Sequence, residues 1–385
     1  MKRLAISVWR LMFACHLAFA GVAGLVSTVA TAGPRYPDFN GDGKTDLYFL
    51  DDYSRLVHTI WLMDGTRVTD SRSYVAAYTW SLQDRLGDRN GDGKTDLVWL
   101  REQYVANPVP MWRRVESQTW LMNGFSYQAY DFPAGLVEVL SRDFNGDDKS
   151  DSLRVGYSPS SGYTWTVALM DGPNEITATT YPMNIFWQPW SSYHPDARTD
   201  FNGDGKADIL WENDGQTALW LMDGTTVLDA KVLFPKTQPQ WFVDTTGDFN
   251  GDGKTDLLWR SLSGDTQTVA IWLMDGTTPL AADVIFATTD WWLQTVADFD
   301  GDGKDDILWF NGKAGETAIW LMNGMSVKAT AVFKPDGGPW YPSRTGDFNG
   351  DGKADIVWET TAGQQAVWLM DGLSVLDYAY LPNRP

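Results

Sequence analysis

A nine-residue string, Asp-Phe-Asn-Gly-Asp-Gly-Lys-Thr-Asp at 248–256, recurs with small changes seven times along this 385-residue chain, and no other feature restricts the fold so strongly. The copies begin at Asp38, Asp88, Asp143, Asp200, Asp248, Asp298 and Asp347, at intervals of 50, 55, 57, 48, 50 and 49 residues. A period of that size marks a repeat architecture with one supersecondary unit per copy. Such units bury their apolar surface only by stacking on neighbours. Length alone suggests two domains, but seven stacked units make a single body, assigned here to residues 33–385.

The string itself has a chemistry. Polar side chains fall at positions 1, 3, 5 and 9, and on a tightly curled loop these alternate positions point at a common centre. Glycine at position 6 permits the sharp turn, and lysine at position 7 offers only its backbone carbonyl, with its ammonium expected to point at water. The result is a hard, all-oxygen ligand set suited to Ca²⁺, with no Cys or His to attract a softer metal. The predicted ligand sets are Asp38, Asn40, Asp42, Lys44 and Asp46; Asp88, Asn90, Asp92, Lys94 and Asp96; Asp143, Asn145, Asp147, Lys149 and Asp151; Asp200, Asn202, Asp204, Lys206 and Asp208; Asp248, Asn250, Asp252, Lys254 and Asp256; Asp298, Asp300, Asp302, Lys304 and Asp306; and Asp347, Asn349, Asp351, Lys353 and Asp355. Asp, Asn and Gly also make good turns without a metal, but turn formation does not call for three carboxylates at fixed offsets in every copy. Up to seven Ca²⁺ ions are expected. The pattern is not that of an EF-hand or dockerin, which carries an acidic residue at position 12 and continues into a helix. Here position 12 is Phe49, Trp99, Arg154, Trp211, Trp259, Trp309 or Trp358, and a β-run follows.

Residues 1–32 have the layout of a secretory signal peptide: Lys2, Arg3 and Arg10, an apolar run over 11–26, and Ala30-Thr31-Ala32 as a cleavage site, with Ala18-Phe19-Ala20 as an earlier one. A retained membrane anchor is the rival reading of this segment, and lipidation of Cys15 a weaker one. No other stretch is long and apolar enough to span a bilayer. Cys15 is the sole cysteine, so no disulfide staples the body, and calcium is the expected substitute outside the cell. The formal charge of −20 becomes −23 when the three basic residues of the signal are removed. Such acidity excludes nucleic acid as a partner, because its phosphates demand Lys and Arg.

Around each loop the sequence reads as four short strands. In the fifth copy a run at Trp241-Phe242-Val243 precedes the loop, Leu257-Leu258-Trp259 follows it, and a third strand ends in Trp-Leu-Met-Asp-Gly at 272–276. The Asp-Gly pair is a strong hairpin signal, and a fourth run over 280–286 completes the unit. The third strand is apolar on both alternating faces, as a strand buried on both sides must be. A four-stranded antiparallel sheet sandwiched between like sheets is a propeller blade. Seven copies therefore predict an all-β, seven-bladed propeller. The periodic Trp residues are assigned to the core between blades rather than to a sugar-binding surface.

At this level of detail the chain resembles the FG-GAP/VCBS repeat family, which includes the blades of the integrin alpha-subunit head. The Asp-Phe-Asn-Gly-Asp-Gly-Lys-x-Asp loops and their flanking strands carry the resemblance from Asp38 to the C-terminus. It implies a β-propeller with Ca²⁺ held in hairpin loops between the first two strands of each blade, and a role in binding proteins or glycans outside the cell. Three departures stand out. Asp148 replaces the position-6 glycine in the third copy, which also lacks both signature Trp residues. Asp300 replaces Asn in the sixth. The first blade has little sequence for a leading strand, so the mode of ring closure is left open.

The longest insertions, 101–117 and 173–192, are read as loops on the rim opposite the calcium hairpins. They carry Trp112, Arg113 and Arg114 and Phe186, Trp187 and Trp190, an aromatic and arginine composition typical of binding hot spots. These six are the candidate ligand-binding residues. Catalysis finds less support. Outside residues 1–32 only His58 and His194 occur, both isolated, and no Gly-x-Ser-x-Gly elbow is present. The reading is a secreted, monomeric, non-catalytic calcium-binding propeller that binds an extracellular protein or glycan. A polysaccharide-active lyase or glycosidase and a purely structural spacer are the alternatives.

Overall fold

The computed structural model describes residues 37–383, apart from 53–56, 76–79, 82–85, 105–112, 132–136, 159–161, 183–186, 191–197, 237–239 and 264–265. The predicted signal segment, Trp112, Phe186 and His194 lie outside the described residues.

The chain forms a seven-bladed β-propeller of antiparallel sheets, each built from strands consecutive in sequence. Blade 5 shows the plan. An inner strand, Trp241–Gly247, leads into the nine-residue loop. The strands Asp256–Ser263, Thr266–Asp275 and Thr278–Thr288 then succeed one another outward. Blades 6 and 7 repeat it from Trp292–Ala297 and Trp340–Gly346. In blade 4 the inner strand shortens to Gln188–Pro189, and in blade 2 it is split into Trp80–Ser81 and Leu86–Gly87. Blade 1 has three strands among the described residues, Leu47–Asp52, Val57–Asp64 and Arg67–Val75.

The third strand of each blade is buried on both faces because a neighbouring blade covers each side. The outer strand is exposed and tolerates charge, as the all-exposed run of Arg67–Val75 apart from Val68 and Tyr74 illustrates. Trp99, Trp211, Trp259, Trp309 and Trp358, all at position 12, are at most 2% exposed. Each rests on the Trp of the third strand's Trp-Leu-Met motif at 4.8–5.2 Å between ring centroids, as in Trp259–Trp272 at 5.0 Å. Strand register makes these pairs diagonal neighbours, within reach for large aromatics. The assignment of the Trp series to the inter-blade core therefore holds.

Ring closure is also visible. Blade 7 packs on blade 1 through Val357, Val367, Leu369 and Phe348 against Leu47, Phe49, Trp61 and Met63, with Leu381 in the same cluster. The final strand, Ser374–Tyr380, stays as the outer strand of its own blade, so among the described residues no strand is exchanged to fasten the circle. Fastening comes instead from the loops.

Candidate metal centres

All seven loops adopt one conformation, and the sequence explains it. Position 1 Asp acts as an internal acceptor. In loop 5, Asp248 Oδ1 accepts from Gly251 N at 2.7 Å and Asp252 N at 3.2 Å, and Oδ2 accepts from Gly253 N at 2.9 Å. Position 3 accepts from the position-5 N–H (Asp252 N to Asn250 Oδ1, 2.9 Å) and position 5 from the position-7 N–H (Lys254 N to Asp252 Oδ1, 2.9 Å). Position 6 lies in the left-handed region, φ +84° at Gly253 and +82° at Gly43. Asp148 takes the same conformation at φ 65° and donates its N–H to Asp143 Oδ2 at 2.8 Å, as the glycines do. The third loop thus keeps its geometry despite the substitution.

Position 9 ties each loop to its blade. Asp256 Oδ2 accepts from Phe249 N at 3.0 Å and Oδ1 from Met274 N at 2.8 Å. Asp46, Asp96, Asp151, Asp208, Asp306 and Asp355 do the same with the second loop residue and the Met of their own third strand. All seven are at most 1% exposed, and no lysine or arginine pairs with them among the described residues. Burial, opposed by these two N–H donors and reinforced by neighbouring loop carboxylates, pushes Asp46, Asp96, Asp151, Asp208 and Asp256 up to about 7. Asp306 and Asp355 reach about 8. Burial likewise raises position 1 in Asp38, Asp143, Asp298 and Asp347.

These observations bear on whether a cation fits. The seven position-9 carboxylates are buried with no paired lysine or arginine among the described residues, and the position-7 lysine does not supply them a counter-charge. In five loops its ammonium turns outward to the Asp of the hairpin turn in its own blade, pairing Lys44 with Asp64, Lys149 with Asp171, Lys206 with Asp223, Lys254 with Asp275 and Lys353 with Asp371. Lys94 and Lys304, whose blades have Asn at that turn, pair instead with the position-5 Asp92 and Asp302 of their own loops at 3.5 and 3.3 Å. The expectation that this ammonium points simply at water is therefore corrected. In loop 6 a ligand oxygen from each of Asp298, Asp300 and Asp306 lies within 4.8 Å of the other two. There Lys328 reaches Asp300 Oδ2 at 2.8 Å and Asp302 Oδ2 at 3.1 Å.

The loops also join one blade to the next. The position-8 N–H donates to the position-1 carbonyl of the preceding loop, from Thr95 to Asp38 through to Ala354 to Asp298. The circle completes with Thr45 to Asp347 at 2.7 Å. The Gly N–H of each Trp-Leu-Met-(Asp/Asn)-Gly turn, or of its Ala-Leu-Met form in blade 3, donates to the position-2 carbonyl of the preceding loop, as in Gly65 to Phe348 at 2.7 Å. The position-4 glycines take the left-handed conformation, φ +75° at Gly251 and +77° at Gly350, and also lie close to the lysine of the next loop. A Cβ on Gly251 would meet Lys304 Cγ at 3.1 Å, and one on Gly350 would meet Lys44 Cγ at 3.4 Å.

The candidate ligand-binding residues fare differently. Within 101–117 the described residues, 101–104 and 113–117, are strand: Asp96–Tyr104 and Arg113–Asn123 pair antiparallel, with Tyr104 opposite Arg113 and Gln103 opposite Arg114. Most of 173–182 is the outer strand of blade 3, Asn174–Pro182. Trp190 is 2% exposed, and its Nε1 donates to Val243 O at 2.9 Å inside the blade 4–5 core. Trp187 is half-buried against the blade 3–4 core. These two are packing residues, because strong aromatic composition in an insertion signals burial as readily as exposure. His58 is buried, bonded to Tyr48 through Nδ1 and edge-on to Trp99 at 4.6 Å; burial lowers it to about 4. It is a core side chain rather than a surface base.

The FG-GAP-like repeat family matches residues 200–259, 248–309 and 298–358, each match running from one loop through the next. Residues 200–358 are FG-GAP-like repeats. The loops at 38, 88, 143 and 347 carry the same hydrogen-bonding scheme as those that open the three FG-GAP-like matches. No curated protein sequence matches the chain. Among solved structures, one similar chain is a putative 6-phosphogluconolactonase from Bacteroides fragilis, at 14% identity and TM-score 0.47, covering 89% of this chain and 96% of that one. Another is the β-propeller domain of the Trilobed protease from Pyrococcus furiosus, described as having an open velcro topology, at 14% identity and TM-score 0.45, covering 91% and 98%. A chain of a nidogen/laminin complex matches at 13% identity and TM-score 0.31, covering 74% and 94%.

Proposed function

We propose that this chain is an extracellular, calcium-stabilised propeller that acts as a non-catalytic binding module for a protein or glycan. The carrying observation is the sevenfold recurrence of buried, uncompensated carboxylates inside loops that also form the inter-blade belt. Positions 1, 3, 5 and 9 of each loop would hold the ion, with the position-7 carbonyl. When bound, Ca²⁺ would neutralise the acidic loops and tie each belt segment to its blade. FG-GAP repeats are typical of extracellular or surface proteins, and no helix among the described residues is long and apolar enough to cross a membrane. The burial of His58 adds weight to the non-catalytic reading.

Extracellular calcium modules bind with Kd of ~10⁻⁴–10⁻³ M, so at ~2 mM Ca²⁺ and Kd ~0.1 mM each site contributes about 1.8 kcal/mol. Calorimetric titration of the chelator-stripped protein should show several Ca²⁺ per chain and a large fall in melting temperature on stripping. A melting curve indifferent to chelator would overturn the calcium reading.

A further inference from the structure

The rim remote from the nine-residue loops is where the inner strands of blades 5, 6 and 7 begin. Six positions before each loop stands an aromatic residue: Phe242, Trp292 and Tyr341. Trp292 is 44% exposed, the only exposed tryptophan among the residues whose side-chain burial is described. Its neighbour Trp291 faces the blade 5–6 core. Burial therefore explains Trp291 but not Trp292.

Beside it lies a charged pair. Arg260, opposite Phe242 in the strand register, places its guanidinium 4.8 Å from the Phe242 ring centroid and 5.9 Å from that of Trp292. Arg260 Nη2 donates to Asp244 Oδ1 at 2.7 Å, while Arg260 Nε is buried without a hydrogen-bond partner. The equivalent register positions in blades 4, 6 and 7 hold Glu212, Phe310 and Glu359. The arginine is thus peculiar to the blade 5–6 sector.

We propose that this sector binds a neutral pyranose unit of a saccharide. Trp292 offers a flat apolar face to the C–H side of a sugar ring, and Arg260 with Asp244 offers fixed donors and acceptors to its hydroxyls. Few polar groups set against aromatic walls are the usual make-up of a small-ligand site. The guanidinium and carboxylate cancel each other, and the chain as a whole carries −20, so a polyanionic ligand is disfavoured. The proposal rests on the binding-module reading and gives it a ligand class and a place.

The test is calorimetric titration of the calcium-loaded full chain with methyl glycosides of glucose, galactose, mannose and N-acetylglucosamine and their trisaccharides. At least one should bind. Trp292→Ala should weaken it about tenfold or more, Trp292→Phe about threefold, and Arg260→Lys, which keeps the charge but removes the forked donor, about tenfold. Because Trp292 is exposed, its variants should melt with the parent. Saccharide binding untouched by these substitutions would overturn this site yet leave the binding-module reading standing. No saccharide binding at all would overturn the ligand class. In that event, selective capture of a protein by the same calcium-loaded chain would keep the broader reading, and loss of both would remove it.

Discussion

At the junction of blades 5 and 6, position 2 of the loop is Phe249; at the junction of blades 2 and 3 it is Arg89. The contrast extends through the whole interface. Phe249, Ile271, Leu293, Val296, Ile307 and Trp309 pack together in the first. In the second the corresponding residues are Arg89, Thr119, Glu138, Ser141, Ser152 and Arg154, all at most 5% exposed. Four of them form a network: Arg89 pairs with Glu138 and donates to Ser150 O at 3.1 Å, Ser152 Oγ donates to Glu138 Oε2 at 2.6 Å, and Arg154 donates to Ser152 Oγ at 2.9 Å and Glu175 Oε2 at 2.6 Å. Among the described residues, apolar clusters join blades 1–2, 3–4, 4–5, 5–6, 6–7 and 7–1, whereas blades 2 and 3 meet through polar groups. One backbone geometry accepts both chemistries because the belt of loop hydrogen bonds crosses every junction alike. The polar version also marks which two blades belong side by side, since Arg89 finds its acceptor only there.

The sharpest way to break this contrast is to remove half of the buried pair. Glu138→Ala should destabilise by about 3–5 kcal/mol, because Arg89 is left charged and unpaired at 0% exposure. Adding Arg89→Leu should recover most of that loss, which urea unfolding would measure. Phe249→Ala should cost about 3 kcal/mol through a cavity, and no second substitution should rescue it so simply. A rescue of equal size at both junctions would erase the distinction.

The position-9 carboxylates give a second comparison. Their folded-state values, about 7 at Asp151 and about 8 at Asp306, lie above the ordinary carboxylate value of 3.8. In metal-free protein their contribution is therefore full at low pH and is lost as pH rises through the folded values. Stability without calcium should fall from about pH 4 to pH 8. Asp306→Asn should flatten that slope more than Asp151→Asn, because Asp300 adds a charge to loop 6. Denaturant titrations across this range in chelator would show it. The smallest expected effect is Asp148→Gly, a gain of about 1 kcal/mol from relieving a left-handed non-glycine residue in loop 3, read as a rise in melting temperature.

The sequence by itself determined the number of blades, their strand order and the conformation of the loops. These are local or periodic properties: an Asp at position 1 folds its own loop by accepting the next N–H groups, and a fixed repeat compels stacking. It also marked the position-12 Trp residues as core, since they recur with the blades. Only the tertiary structure decided what each non-repeating side chain faces. Trp190 and Trp187 turned inward, and Arg113 and Arg114 joined a strand, because a neighbouring blade or strand claimed them. Trp292 stayed in solvent although Trp291, one residue earlier, is packed inside. Arg89 and Glu138, 49 residues apart, meet because a pair across two blades leaves no trace in local spacing. Circular closure is likewise a tertiary fact. Thr45 and Asp347 stand 302 residues apart, and only the accumulated rotation of seven sheets brings them within a hydrogen bond.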